Sequence, residues 1–377
     1  MRKWLRKKAY IFSSVRFYLL LLFFLLIFIS SLIKVEPYFL LIQSKDDIND
    51  RYVNLIRLTD NISFPVYNFI LKNRVIFFNS KGSIKGIYTL NSKDIVSRYP
   101  ASKYIITYSK TGGNIKCIND NGIKIWERES YSYPFMVSLN KILLLTGENA
   151  GFQLIDTKNN DLSDFMATGS IALSFQEAFQ TNLLVIGFSD GTLSLYNDKL
   201  KEKWSKRFIT DSIYPIVKSV AISSRGNFIS AVGGLNDEYF YLLDRTGNLL
   251  LSIKTGENIR RPLILKFSVN ETYVIKEGEE GFQLYSVEKR KLLLNKKLFK
   301  KSSNRKLISL DISRNGNFIL VSYKYKNLAT FVDFYSRKGV LLYRIIMRND
   351  ILPYVKFDNK DNKFIVETSK GLYIYGF

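Results

Sequence analysis

Histidine is absent from this 377-residue chain, which removes the side chain most used as a general base near neutral pH and the commonest metal ligand. Chemistry that depends on histidine is excluded. Cys117 is the only cysteine, so the chain can form no intramolecular disulfide, no thiolate zinc cluster and no pair of redox thiols. Helical periodicity is almost missing after residue 50, which argues against a helical domain there. Apolar and aromatic residues are plentiful, at 46% and 15%, enough to bury a large core in one big domain or two ordinary ones.

Acidic residues are comparatively few, 33 against 56 basic ones, for a net charge of +23. Such an excess suits nucleic acid or an anionic membrane surface. The basic residues are nevertheless spread along most of the chain, in a background rich in Lys, Asn and Ile and poor in Ala that marks an AT-rich genome. Neither a recognition helix nor an aromatic RNA-binding motif accompanies them. No nucleic-acid partner is expected.

The N-terminus reads "MRKWLRKKAYIFSSVRFYLLLLFFLLIFISSLIK". Five basic residues, Arg2, Lys3, Arg6, Lys7 and Lys8, precede a charge-free run from Phe17 to Ile33. Such a run is a membrane segment or a secretion signal, and a cleavable signal would end in small residues of the A-x-A kind. This one ends in Ser30, Ser31, Leu32 and Ile33, so an uncleaved anchor is expected. The basic cluster before it places the N-terminus in the cytoplasm and everything after about residue 35 beyond the membrane. In a cell with two membranes that means a single-pass protein of the inner membrane with its bulk in the periplasm.

Two phrases recur. "GFQLIDT" begins at Gly151 and "GFQLYSV" at Gly281, while "ISSRGNFIS" begins at Ile222 and "ISRNGNFIL" at Ile312. Both spacings are multiples of about 43 to 45 residues, the period of propeller blades built from four strands each. Strand, polar turn and strand follow one another in "NIKCINDNGIKIWERE" from Asn114, "YFYLLDRTGNLLLSIKTG" from Tyr239 and "TFVDFYSRKGVLLYRI" from Thr330. Gly122, Gly247 and Gly339 occupy equivalent hairpin turns, where glycine takes positive φ. The third strands start near Arg74, Asn114, Gly151, Thr192, Tyr239, Gly281, Thr330 and Leu372, giving an all-β propeller of about eight four-stranded blades, or alternatively seven. The last unit stops after three strands, so a fourth is expected from "PYFLLIQS" (Pro37 to Ser44) or "YVNLIRL" (Tyr52 to Leu58). The expected layout is a basic cytoplasmic segment at 1–16, a transmembrane signal anchor at 17–33, a linker or closing strand at 34–50 and the propeller at 51–377.

The segment "FSDGTLSLYND" (Phe188 to Asp198) resembles the middle of a WD40 repeat, and "INDNGIKIWE" (Ile118 to Glu127) is similar to the PQQ-type repeat, in which a turn glycine precedes a strand bearing tryptophan. Tryptophan stands at that strand in two units, as Trp126 and Trp204. A membrane-tethered propeller of PQQ-like repeats resembles the BamB group of envelope assembly proteins. The resemblance implies a scaffold whose partners are other envelope or membrane proteins.

No constellation of catalytic residues stands out. Glu148, Glu279 and Glu280 lie on equivalent turns three blades apart, too far for a shared metal or an acid–base pair. Asp244, Asp311 and Asp333 read as strand-end or turn partners of backbone N–H groups. A quinone cofactor of the PQQ type would need calcium ligands and a catalytic carboxylate in a dense cluster, so no cofactor and no specific small molecule are expected. The densest charge, Lys296, Lys297, Lys300, Lys301, Arg305 and Lys306, is the candidate interaction surface, with protection of an exposed strand edge as the competing reading. The reading is a non-catalytic, membrane-anchored scaffold for envelope assembly or for a large envelope machine such as a flagellar motor. The alternative is a propeller enzyme or sensor acting on a glycan or small molecule at the channel mouth.

Overall fold

The computed structural model describes residues 68–71, 73–79, 83–99, 102–110, 112–147, 150–208, 214–299, 306–325, 329–348, 353–357, 363–368 and 371–376. The expected anchor at 17–33 and the expected closing strands at 37–44 and 52–58 lie outside these residues. Among the described residues all regular structure is β, arranged in eight antiparallel sheets. Sheets 2 to 7 have four strands each and span residues 94–130, 133–167, 172–207, 217–254, 265–297 and 306–348. Sheets 1 and 8, at 68–89 and 354–376, have three strands each among the described residues, the last unit contributing three as expected.

The hydrophobic pattern dictates the place of each strand. Second and third strands are continuous apolar runs such as Lys141–Leu145 (KILLL), Leu184–Phe188 (LVIGF) and Gly281–Ser286 (GFQLYS), and all of their residues are buried. Such runs suit a sheet covered on both faces. Fourth strands alternate or turn polar, as in Lys124–Ser130 (KIWERES) and Glu202–Arg207 (EKWSKR), and lie at the rim. First strands of successive sheets contact one another and face the centre. Between neighbouring sheets the apolar faces interlock, with Ala178, Val185 and Leu193 of sheet 4 packed on Val220, Ile229 and Leu243 of sheet 5. Full burial of one such aliphatic side chain contributes about 1.5–3 kcal/mol.

The repeat is exact enough to reproduce small devices. The observed third strands begin at Arg74, Gly113, Gly151, Thr192, Tyr239, Gly281, Ala329 and Gly371, each within one residue of its expected start. Gly122, Gly247 and Gly339 all have φ 77°. Trp126 Nε1 donates to Thr157 O at 2.8 Å and Trp204 Nε1 to Arg245 O at 3.0 Å, so each tryptophan pins its outer strand to the hairpin turn of the next sheet. Every third-to-fourth strand pairing in sheets 1, 2 and 4 to 7 carries a register shift, for example between Leu284 and Tyr285. The extra residue on the outer strand is thereby left without an opposite number. Across the first and last sheets, Arg98 of sheet 2 reaches Asn68 O of sheet 1 at 3.2 Å and the Glu367 carboxylate of sheet 8 at 2.6 Å.

Candidate interaction face

Because strand direction alternates, loops joining second to third strands share one end of the propeller with loops leading to the next sheet. On sheets 5 and 6 this end is organised by buried charge. Lys218 is the extra residue of a bulge in the first strand of sheet 5, where Val217 pairs with Gly233 and Ser219 with Val232. The bulge re-aims its side chain. Its ammonium donates to Glu238 Oε2 at 2.6 Å and to Ile259 O at 2.8 Å. Lys276, inside the apolar strand Tyr273–Gly278, binds Glu238 Oε1 at 2.8 Å and Glu257 Oε2 at 2.5 Å. The side chains of Lys218, Glu238 and Lys276 are at most 1% exposed.

Further hydrogen bonds tie the network to loops. Thr255 Oγ1 donates to Glu238 Oε1 at 2.9 Å, and the Glu279 N–H donates to Glu257 Oε1 at 3.0 Å. Beside it the buried Glu277 carboxylate receives Arg261, and the Ile264 N–H donates to its Oε2 at 3.1 Å. Burial alone would raise the Glu238 carboxyl, but Lys276 and Lys218 outweigh it and hold the group below its ordinary value. Burial pushes the Lys218 ammonium down, only partly offset by Glu238. Breaking such a network by removing one partner is costly because it strands an uncompensated charge. The loops at 234–238, 255–264 and 279–280 are therefore held rigidly, and they border a cleft of about 370 Å³ lined by Asn258, Arg261, Glu277, Glu279 and Phe299.

The candidate basic band meets this face in part. Lys296 lies over the Tyr335 ring, 5.4 Å from its centroid, and Lys297 pairs with Glu280 at 2.5 Å. Both lysines thus have intramolecular contacts besides any external one. Lys300, Lys301 and Arg305 lie outside the described residues. Lys306 opens the strand Lys306–Ile312, and its side chain too is outside the description. Among the acidic candidates, Glu148 is outside the described residues, and Glu279 and Glu280 sit on the turn of sheet 6.

The three aspartates divide. Asp244 caps its turn, accepting from the N–H groups of Thr246 and Asn248 at 2.9 Å. Asp311 ties three sheets together, accepting from Phe357 N at 2.8 Å and Lys266 Nζ at 3.0 Å. Asp333 departs from the expected turn role. It is fully buried mid-strand, where it accepts from Arg344 Nε at 2.7 Å and from the hydroxyls of Tyr335 and Tyr323 at 2.7 and 3.1 Å. Sequence reasoning passed over Lys218, Glu238, Glu257, Arg261, Lys276 and Glu277 altogether. The legible signal was a lysine inside an apolar strand, in "IVKSV" and "YVIKEG", since a lysine there must find a buried counter-charge.

Radially ordered sheets with polar outer strands and a loop-built face define a β-propeller. The chain belongs to the beta-propeller protein family, whose model matches residues 1–333. Among solved structures it is similar to BamB from Moraxella catarrhalis, with 13% identity, 85% of this chain and 98% of that chain covered, and a TM-score of 0.60. It is also similar to the Cps50 (Swd1) beta-propeller domain of Myceliophteria thermophila, at 10% identity, 76% and 96% coverage, and a TM-score of 0.51. At these identities the likeness speaks to the fold. No curated protein sequence gives a significant match.

Proposed function

We propose that this chain is a non-catalytic, membrane-anchored propeller that docks other envelope proteins on its loop face. The observation that carries the reading is the rigid face of sheets 5 and 6, where buried Lys218, Glu238, Lys276 and Glu257 immobilise loops around an open cleft. Preorganised loops cost little further ordering on association, which is what a docking platform requires. The likeness to BamB points the same way, and the charge-free run from Phe17 to Ile33 behind a basic cluster would hold the propeller at the outer surface of the inner membrane.

Affinity capture of the full chain from detergent-solubilised membranes, followed by identification of the retained proteins, tests the reading. Envelope proteins should be retained by the native chain and lost with Glu279→Lys or Asn258→Arg at an unchanged melting temperature. Retention of none above an unrelated anchored control would overturn it. Alkaline phosphatase fused after Phe377 tests the orientation separately: an active fusion is expected, and an inactive one contradicts the periplasmic placement.

A further inference from the structure

The rim of the propeller carries an ordered apolar feature. Aligned by the outer-strand register shift, Leu249 and Leu250 of sheet 5, Leu292 and Leu293 of sheet 6, and Leu341 and Leu342 of sheet 7 occupy the same two positions. The second leucine of each pair is the extra residue of the bulge, the one without a partner on the neighbouring strand. Five of the six are exposed: Leu249 by 50%, Leu292 by 38%, Leu293 and Leu341 by 40% and Leu342 by 49%. Leucine is among the residue types most often turned inward, so exposed pairs repeated at one position on three neighbouring sheets point to a binding surface. The three sheets are consecutive, and Gly339 leans on Leu294, so the turn of sheet 7 meets the outer strand of sheet 6.

The charge next to these leucines has one dominant sign. The hairpin turns leading into the three outer strands hold Arg245, Lys289, Arg290, Lys291, Arg337 and Lys338 against Asp244 and Glu288. Asp244 is already engaged in capping its own turn, and Arg337 donates to the Tyr273 hydroxyl at 2.6 Å, which leaves Arg245, Lys289, Arg290, Lys291 and Lys338 against Glu288. Sheets 1, 2 and 4 do not repeat the combination of apolar pair and basic turn. At the extra position sheets 1 and 4 have Lys85 and Lys203; sheet 2 has Ile125, 46% exposed, but its turn sets Asp120 against Lys124, and the turn of sheet 4 mixes Asp198 and Glu202 with its lysines.

We infer that the leucine pairs of sheets 5, 6 and 7 are a membrane-contact arc that seats the rim of the propeller on an anionic bilayer surface. Leucines enter the boundary between headgroups and acyl chains while the adjacent Lys and Arg side chains meet the phosphates, the combination by which amphipathic surfaces hold to anionic lipid. Charge complementarity selects this occupant over an apolar protein patch, for which the dense basic flank would be a desolvation cost. The arc is independent of the loop-face reading, since it lies on the rim and uses different residues.

The test uses the full chain with Cys117→Ser and a single fluorescent label at Leu293→Cys, Leu342→Cys or, as control, Lys203→Cys. Each is mixed with phosphatidylglycerol-containing vesicles bearing brominated acyl chains, and flotation is recorded alongside fluorescence. Labels at 293 and 342 should be quenched about twofold or more while 203 is unaffected, as interfacial burial of the leucine positions requires. A chain that floats but is unquenched at 293 and 342, or is quenched equally at 203, overturns the arc and leaves the anchor untouched. A chain that does not float at all overturns both. Melting temperatures of the labelled chains should match that of the unlabelled Cys117→Ser chain, because positions 203, 293 and 342 are solvent-facing.

Discussion

Ser219 and Leu263 exchange two hydrogen bonds across the seam between sheets 5 and 6: Ser219 Oγ donates to Leu263 O at 2.9 Å and accepts from Leu263 N at 2.6 Å. Ser309 and Val355 repeat the exchange between sheets 7 and 8, at 3.3 and 3.2 Å. In both cases the serine directly follows the bulge of its first strand. Ser174 stands in the same place, after the bulge of sheet 4, and accepts from Val220 N at 3.0 Å. The bulge turns a small hydroxyl sideways, so that the first strand, whose ladder pairs it only within its own sheet, also bonds to its neighbour.

Ser219→Ala and Ser309→Ala should therefore each destabilise the propeller by about 1–3 kcal/mol, because each leaves a buried N–H and C=O without its partner. The serines serve different seams, so the double variant should lose close to the sum. Urea unfolding measures both effects. Losses well under 0.5 kcal/mol in each, roughly the noise of such comparisons, would mean that the hydroxyls do not hold the seams.

The architecture was legible because a propeller repeats its pattern. "GFQL" at Gly151 and Gly281 and "GNFI" at Gly226 and Gly316 mark the same strands and turns in different sheets, and counting between them located the third strands. The site was not legible for the opposite reason. Lys218, Glu238, Glu257 and Lys276 come from two strands and two loops; the two lysines stand out within apolar strands, but nothing in the spacing says that Glu238 and Glu257 are the carboxylates folding brings to them. Within the basic band, Lys296 and Lys297 lean on side chains of sheets 7 and 6, contacts that no local spacing could reveal.

The hairpin glycines should tolerate side chains unequally. All three have φ 77°, a region costly for β-branched residues. A Cβ at Gly122 would also come within 2.5 Å of the backbone oxygen of Ile87, whereas at Gly339 it would meet the movable Leu294 side chain at 3.1 Å. Gly339→Val should cost about 1–3 kcal/mol from strain alone, and Gly122→Val clearly more. Thermal melts of the two variants decide it, and equal losses would contradict the tight approach at Gly122.

Cys117 should be chemically silent. Its thiol is fully buried among Ile106, Ile115 and Ile142, and burial pushes its pKa up to about 12. The thiolate is the reactive form, so a disulfide reagent at mildly alkaline pH should label none of the native protein and all of it in denaturant. Rapid labelling of the native chain would show that the contact between sheets 2 and 3 opens readily.

The buried charge network should impose an acid limit on stability that one substitution removes. The Glu238 carboxyl is held below its ordinary value by Lys276 and Lys218 against the opposing effect of burial. A carboxyl depressed on folding adds stability above its unfolded value of about 4.3 and loses it as pH falls through the folded value. Glu238→Gln should cost about 3–5 kcal/mol near neutrality, since it leaves Lys218 and Lys276 buried with Glu257 as their one remaining carboxylate. As pH drops below about 4 the native chain loses its Glu238 contribution and the variant has none to lose, so the gap between the two should narrow. Unfolding free energies measured from neutral to acidic pH give the comparison. A gap that stays constant across that range would show that Glu238 is not the titrating group, and a gap near zero at neutrality would show that the network does not hold the loop face.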